Sequence, residues 1–472
     1  MDNHLNNVLM MLDQSLRVEG SKVNVIDEAK LRTKVDKLVE IINMETGALH
    51  GWANYLTRAA ALELGIIPAS IHELYMARGR GEVPLTFSVP AINLRILSFE
   101  AAKAVLRAAR KINAGAIIFE IARSEIGYTS QSPVEYTTNV LAAAIAEGFR
   151  GPIFIQGDHF QISAKRYAGD SLTELNAVRN LTRQAIEAGY FNIDIDSSTL
   201  VDINKATISE QQILNYSISA MYAAFIREIE PKGITISIGG EIGEVGKHNS
   251  TEAELHTYME GFNVELEKRV PGSAGLSKIS IQTGTSHGGV VLPNGSIAEV
   301  KVDFKTLRDL SRVARSEFGL GGTVQHGAST LPEDAFGKFV ESEACEVHLA
   351  TNFMNMFFDR APVGLRQEMY SWLDVNQGTE RKADMTDEQF YYKTRKNALG
   401  PYKSKINALP ASFKQDLGLA WEAQFDKLFR SLGLADTRQY VEKYIKTVAV
   451  QPNLNTYLGK GNSGEEVGDL AD

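Results

Sequence analysis

The amino-acid sequence predicts an α/β fold, a (β/α)8 TIM barrel with a helical extension at each end. Between residues 86 and 352, eight short apolar runs alternate with stretches in which apolar residues recur every three or four positions. Strands and amphipathic helices alternate in this way in such barrels. No Gly-x-Gly-x-x-Gly motif follows the first run, which disfavours the main alternative, a doubly wound open sheet.

The eight runs have the length and composition of buried parallel strands, and the stretches between them have the apolar face of amphipathic helices. The predicted strands span residues 87–94, 116–122, 152–159, 191–197, 235–243, 278–284, 321–326 and 345–351. The predicted connecting helices span residues 98–111, 133–146, 172–188, 211–229, 251–264 and 304–318.

The predicted barrel occupies residues 71–360, and the flanking segments are predicted to be helical. Residues 1–70 form an N-terminal extension with helical periodicity at 35–42 and 51–64. Residues 361–458 form a C-terminal extension, with helices predicted at 389–409, 417–432 and 436–448. The tail, residues 459–472, is rich in glycine and acidic residues and is expected to be disordered. We expect the flanks to cap the barrel or to form contacts in a homodimer or homotetramer.

Composition excludes several classes of function. The chain has 472 residues, 44% hydrophobic, with a formal net charge of −9, which gives no electrostatic basis for binding nucleic acid. Its single cysteine, Cys345, cannot form an internal disulfide and is expected to be a buried core residue. The basic segment followed by an apolar one that is typical of a signal peptide is not seen. No apolar run approaches the roughly 20 residues that span a bilayer. A cytoplasmic protein without a membrane segment is therefore expected.

Three histidines stand at the ends of predicted strands: His159, His287 and His326. A single histidine in such a position is more often structural than functional. In a barrel, however, the carboxyl ends of all strands meet at one mouth, so the three imidazoles would converge. Neutral imidazoles in this arrangement are typical of a zinc site that keeps one position open.

The neighbours of these histidines suggest what a metal would act on. Gly288 and Gly327 follow two of them, and a glycine lets backbone N–H groups approach an anion such as phosphate, although it could equally serve a tight turn. Asp158 precedes His159 and could act as a general base. Asp194 or Asp196 could orient an imidazole, and a solvated or turn-capping role is the alternative for all three carboxylates.

The ordered set of these motifs resembles the class II, zinc-dependent aldolases that cleave or form ketose bisphosphates of the fructose and tagatose type. Each motif alone is weak, but they occur in the family's order, mostly one per predicted strand. The matching segments are residues 89–93, 157–159, 195–198, 241–243, 284–288, 326–329 and 347–351.

The resemblance implies a role for each residue at these positions. His159, His287 and His326 would bind a catalytic Zn²⁺. Glu241 would be an alternative ligand, and Asp196 would contact a ligand rather than the metal. A monovalent cation is a further candidate cofactor. Asp158 would exchange a proton with the C4 hydroxyl of the sugar. The residues expected to contact substrate or its phosphate are Asn93, Gly288, Gly327, Ser329, His348, Thr351 and, by a looser match in the terminal helices, Arg395. The implied partner is a small phosphorylated sugar.

Two positions depart from the family's pattern. The loop after Glu241 reads Gly246-Lys247-His248-Asn249, where the family usually carries an acidic pair; Glu252 or His248 could substitute. His348 stands where the family usually has asparagine. Both departures are expected to affect contacts with the substrate more than binding of the metal.

Three other functions are weighed against a zinc aldolase. A Schiff-base aldolase needs a lysine at the mouth, and the eight predicted strand ends offer none. A non-catalytic or regulatory barrel subunit would have no need for the three histidines and Asp158. A barrel zinc hydrolase would also use histidine ligands, but the glycine turns beside two of them favour a phosphorylated substrate.

Overall fold

The computed structural model describes residues 3–243, 248–284, 292, 302–328 and 331–459. The N-terminal segment is helical as predicted, but it also contains strands. Its elements are α1 (Asn3–Met11), β1 (Leu16–Glu19), β2 (Lys22–Val25), α2 (Glu28–Met44), α3 (Gly47–Glu63), β3 (Ile66–Ala69) and α4 (His72–Gly79). Strands β1 and β2 form an antiparallel hairpin, and β3 pairs in parallel with the start of a barrel strand.

A closed barrel of eight parallel strands follows, which confirms the predicted fold. The strands are β4 (Val89–Asn93), β5 (Ile118–Ala122), β6 (Gly151–Gln161), β7 (Asn192–Asp196), β8 (Ser237–Glu241), β9 (Lys278–Ser280), β10 (Thr323–Gln325) and β11 (Glu346–Leu349). Each strand pairs with its neighbours in chain order, β11 pairs with β4, and β6 pairs with β7, so the ring has no open edge. The carboxyl ends of all eight strands therefore point to the same mouth.

Helices connect the strands and cover the barrel. They are α5 (Ser98–Lys111), α6 (Arg123–Thr129), α7 (Pro133–Ala146), α8 (Ala164–Gly169), α9 (Ser171–Ala188), α10 (Ile208–Ile229), α11 (Glu252–Arg269), α12 (Phe304–Phe318) and α13 (Phe336–Glu341). Several begin at a capping residue: the Thr207 and Thr251 side chains accept from backbone N–H groups three residues on, satisfying donors that a helix start leaves unpaired.

The C-terminal extension packs against the outside of the barrel. It follows α14 (Thr351–Arg360), the barrel helix after β11, and contains α15 (Val363–Asn376), α16 (Asp387–Thr394), α17 (Lys403–Asn407), α18 (Ala411–Ser431), α19 (Arg438–Tyr444) and α20 (Leu454–Tyr457). In α18, buried Trp421 donates from Nε1 to the carbonyl of Phe353 at 3.1 Å, and Glu422 accepts from Arg107 of α5 at 2.6 Å. The extension is therefore part of the same folded unit. The tail predicted to be disordered lies, beyond Gly459, outside the described residues.

None of the helices within the described ranges combines the length and the apolar composition that a membrane crossing requires.

Candidate metal centre and active site

Three side chains that the sequence singles out come together at the mouth of the barrel. His159 lies near the end of β6, Glu241 ends β8, and His326 follows β10. One possible ligand atom from each lies within 4.8 Å of the other two, and the ring centroids of the two histidines are 4.2 Å apart. We call these three residues the mouth cluster. The third predicted ligand, His287, lies outside the described residues, as do Gly288 and Ser329.

Irregular backbone at the end of β6 aims two successive side chains at the mouth. In a regular strand Asp158 and His159 would point to opposite faces. Here the register with β7 shifts between Gly157 and Phe160, and His159 has a φ of 40°, which non-glycine residues rarely adopt. The ring of Phe160 folds back over Gly157, where a Cβ atom would lie 2.4 Å from it. A glycine is therefore required at that position.

Asp196, at the end of β7, contacts the Nδ1 atom of His159. Its Oδ2 lies 3.0 Å from His159 Nδ1, and its Oδ1 accepts from the backbone N–H and the hydroxyl of Ser198 at 3.0 and 2.6 Å. A carboxylate on Nδ1 favours the tautomer with a proton there, which leaves Nε2 as the ligand nitrogen. A metal-binding histidine usually donates its other ring N–H to a carboxylate in this way.

Glu241 completes the mouth cluster and lies on the same Nδ1 side of His159 as Asp196. Its Oε2 lies 3.4 Å from His159 Nδ1, and its side chain is buried. Burial, reinforced by the charge of Asp196, raises the pKa of Glu241 to about 7. Two imidazoles and one carboxylate are a donor set that Zn²⁺ accepts, so the residues present fit the metal that the family resemblance implies.

Asp158 lies buried beside the mouth cluster. Its Oδ2 accepts a hydrogen bond of 3.2 Å from Asn93 Nδ2, and its Oδ1 is 3.8 Å from His159 Nε2 and 3.3 Å from His348 Nδ1. Burial by itself would raise the pKa of Asp158, but His159 and His348 outweigh it and hold the pKa well below its usual range. Asp158 is thus held as an ionised carboxylate.

The side chain of His348, on β11, is more buried than those of His159 and Glu241 in the mouth cluster. Its Nε2 is 2.7 Å from Glu346 Oε1, its Nδ1 is 3.1 Å from Glu120 Oε1, and its ring centroid is 4.0 Å from that of His326. The residue that replaces the family's usual asparagine therefore touches both Asp158 and His326.

Below His348, the barrel is filled by charged and polar side chains rather than by an apolar layer. We call these five residues the interior layer: Glu120, Gln156, Asp194, Lys278 and Glu346. Lys278 Nζ donates to Gln156 Oε1 at 2.8 Å and to Asp194 at 3.0 Å, and it also donates to Glu346. Gly239 makes room for this contact, because a Cβ atom there would lie 2.3 Å from Asp194 Oδ1 and 2.9 Å from Lys278 Cε.

Sequence reasoning missed Lys278 because it searched strand ends, whereas Lys278 begins β9 and reaches across the barrel. The carboxylates of Asp194 and Glu346 outweigh burial and raise its pKa, which keeps the ammonium protonated. A Schiff-base lysine must be a neutral amine when it attacks, so Lys278 is unsuited to that chemistry.

The predicted phosphate-binding residues that the structure describes lie around the start of α14. Thr351 is buried and begins this helix, and Gly327 has a φ of 70° directly after His326. Arg395, from the C-terminal extension, lies between the rings of Phe358 and Tyr392, 4.8 and 4.5 Å from their centroids. Its Nη2 donates to Asn355 Oδ1 at 2.6 Å, one turn into α14.

The residues expected to substitute for the family's loop acid lie away from the mouth. The side chain of Glu252 is 66% exposed and 3.9 Å from His256 on the surface of α11, and that of His248 is 64% exposed. Asn249 donates to Asp303, the capping residue of α12, at 2.9 Å. Gly246 and Lys247 lie outside the described residues. The structure therefore does not bring Glu252 or His248 to the site.

Comparisons with known proteins identify the family of this chain. The family model "Fructose-bisphosphate aldolase class-II" matches residues 85–414, more than two thirds of the chain, whereas no curated protein matches it in sequence. Among solved structures, fructose-bisphosphate aldolase from Campylobacter jejuni is similar at 16% identity and a TM-score of 0.46, covering 79% of this chain and 97% of its own.

A second solved structure, fructuronate-tagaturonate epimerase from Cohnella laeviribosi, is similar at 12% identity and a TM-score of 0.50. It covers 92% of this chain and 90% of its own, so its likeness extends into the terminal extensions and concerns the fold alone. The barrel, the order of its motifs and the matched family model together show that this chain belongs to the class-II fructose-bisphosphate aldolase family.

Proposed function

We propose that this chain is a zinc-dependent aldolase that reversibly cleaves a phosphorylated ketose into dihydroxyacetone phosphate and an aldehyde. The candidate substrates are fructose- or tagatose-1,6-bisphosphate or a related ketose 1-phosphate. One observation supports this most: the donor atoms of the mouth cluster converge within 4.8 Å beside the buried carboxylate of Asp158, in a chain of the class-II aldolase family.

The zinc would be held by His159 and His326, with Glu241 close by and His287 as the third histidine that the sequence predicts. When bound, zinc supplies a Lewis acid that stabilises negative charge on the oxygens of the substrate. Asp196 orients His159 for this role through its 3.0 Å contact with Nδ1.

Asp158 is proposed to move the proton that starts the cleavage. It takes the proton of the C4 hydroxyl as the C3–C4 bond breaks, and C4 becomes the carbonyl carbon of the released aldehyde. The electron pair of the broken bond stays with C3, which takes up a proton from solvent water to give dihydroxyacetone phosphate, and Asp158 returns its own proton to solvent. Asp158 must be ionised to accept this proton, and its Oδ1 lies 3.8 Å from His159 Nε2 and 3.3 Å from His348 Nδ1.

The phosphate is proposed to bind between the turn after His326 and the start of α14. Thr351 offers a hydroxyl and the backbone donors of a helix start, where anions are favoured. Gly327 permits close approach of the backbone, and Arg395 supplies a positive charge from the C-terminal extension. Gly288 and Ser329 are further candidates on the sequence evidence. Binding the phosphate far from the reacting carbons holds C3 and C4 in place for reaction.

A substrate screen tests the proposal. Purified protein, stripped with chelator and then reloaded with zinc, is incubated with ketose mono- and bisphosphates, and dihydroxyacetone phosphate is measured. We expect at least one substrate to be cleaved only by the zinc-loaded form. The Glu252→Gln variant, altered on the exposed surface, should behave as wild type. Absence of dihydroxyacetone phosphate from every ketose phosphate with the loaded enzyme would contradict the proposal.

A further inference from the structure

Polar side chains continue from Asp158 along one side of the barrel mouth. Asn93 Nδ2 donates to Asp158 Oδ2 at 3.2 Å and to Glu125 Oε2 at 2.6 Å. Asn93 ends β4, Arg95 follows it, and α6, directly after β5, carries Glu125 and Tyr128. The carboxyl ends of the strands meet at the mouth, so these side chains belong to its wall. We call Asn93, Arg95, Glu125 and Tyr128 the polar row.

Glu125 balances the charge of Arg95 within the polar row. Its Oε1 contacts Nε and Nη2 of the guanidinium at 2.6 and 2.5 Å, and its Oε2 also accepts from the backbone N–H of Ala122 at 2.9 Å. The side chains are 15% exposed for Arg95 and 4% for Glu125, so solvent screens their attraction weakly. The pair is therefore close to neutral toward a bound molecule, whereas an unpaired arginine would attract a phosphate.

Two donors of the polar row remain for a neutral polar group. Within the described ranges, neither Nη1 of Arg95 nor the hydroxyl of Tyr128 makes a hydrogen bond. Burial raises the pKa of Tyr128, and the nearby charges of Arg95 and Asp158 act on the same hydroxyl, which stays protonated and can donate. Lys396, 5.4 Å from the ring centroid of Tyr128, is exposed, so solvent screens its charge.

We propose that the polar row receives C5 and C6 of the sugar and selects a ketose 1-phosphate whose far end carries hydroxyl groups rather than a second phosphate. This rests on the proposed function: with the C4 hydroxyl at Asp158, the next carbons lie beside Asp158, where Asn93 begins the row. A second phosphate would place a charge of about −2 against a pair whose cation is already balanced. Sugar hydroxyl groups are uncharged and can accept from Arg95 and Tyr128.

A comparison of two substrates tests this inference. Zinc-loaded protein is given a ketose 1-phosphate and the matching 1,6-bisphosphate, in both the fructose and the tagatose series, and kcat/KM is measured from release of dihydroxyacetone phosphate. We expect wild type to favour a 1-phosphate by about 10-fold or more. Release from either kind of substrate upholds the proposed function. An equal or higher kcat/KM for the bisphosphate in both series would therefore overturn this inference alone.

Two variants should shift the preference in opposite directions. Glu125→Gln removes the charge that balances Arg95, so the ratio of kcat/KM for bisphosphate to that for 1-phosphate should rise by about 10–100-fold. Arg95→Met leaves Glu125 unbalanced, so the same ratio should fall. A ratio cancels losses that affect both substrates equally, such as partial unfolding. Glu82→Gln, which alters an exposed pair with Arg80, is the matched control. A ratio unchanged in both Glu125→Gln and Arg95→Met would also overturn the inference.

Discussion

The mouth cluster and the interior layer are built from similar buried charged residues, but they balance charge differently. In the interior layer the chain supplies its own cation, because Lys278 bridges Gln156, Asp194 and Glu346. At the mouth, the chain places His159, Glu241 and His326 around one point. None of these three side chains is the ammonium of a lysine. In our proposal the layer below is structural, whereas the mouth takes up a cation from outside.

The largest expected effect on the reaction is at Asp158. Asp158→Asn keeps the size of the side chain but removes the proton acceptor, so we expect kcat to fall by about 10²–10⁴-fold. KM should change little, because the proposed phosphate contacts are untouched. Steady-state kinetics on the best substrate of the screen measure this. The exposed Asp309→Asn is the matched control, and near-normal kcat in Asp158→Asn would remove Asp158 from the reaction.

Replacing Lys278 should affect stability more than any surface lysine. Lys278→Met leaves Asp194 and Glu346 buried without their cation, so we expect a loss of about 3–5 kcal/mol in the free energy of unfolding. Denaturant unfolding measures it. Lys305→Met, which removes an exposed pair with Asp309, should change stability little. If the two variants were equally stable, the interior layer would not be held together by its lysine.

Asp196 should have a smaller effect, and on metal binding rather than on the fold. Asp196→Asn weakens the hold on His159 Nδ1, so we expect metal affinity at the mouth to fall by about 10–100-fold. Competition with a chelating dye measures the affinity, and Asp202→Asn, exposed in the loop after β7, is the control. Unchanged affinity would mean that Asp196 is not the partner that orients His159.

The sequence predicted the barrel well because its signal is repeated. Eight apolar runs separated by helical periodicity leave few other arrangements, and the positions of His159, Glu241 and His326 at strand ends followed from the fold. The hairpin of β1 and β2 was missed, although Gly20-Ser21 between alternating apolar and polar residues is a two-residue hairpin signal.

The interior layer could not be predicted from the same patterns. Buried parallel strands are expected to be apolar, so Glu120, Gln156 and Glu346 carry no periodic signal that separates the barrel interior from the helix-facing side. The contact of Lys278 with Asp194 needs the space that Gly239 leaves by having no side chain. This space depends on how three neighbouring strands are aligned, which no single stretch of sequence shows. The left-handed backbone of His159 is likewise a tertiary feature without a local sequence signal.

The central claim is that the mouth cluster holds the catalytic metal. The most direct test compares wild type with His159→Ala after stripping and reloading with zinc, with bound zinc at the mouth and dihydroxyacetone phosphate release measured on the same samples. We predict that both fall together in His159→Ala, to the level of the stripped wild type. Full activity in His159→Ala, or in the stripped wild type, would contradict the claim.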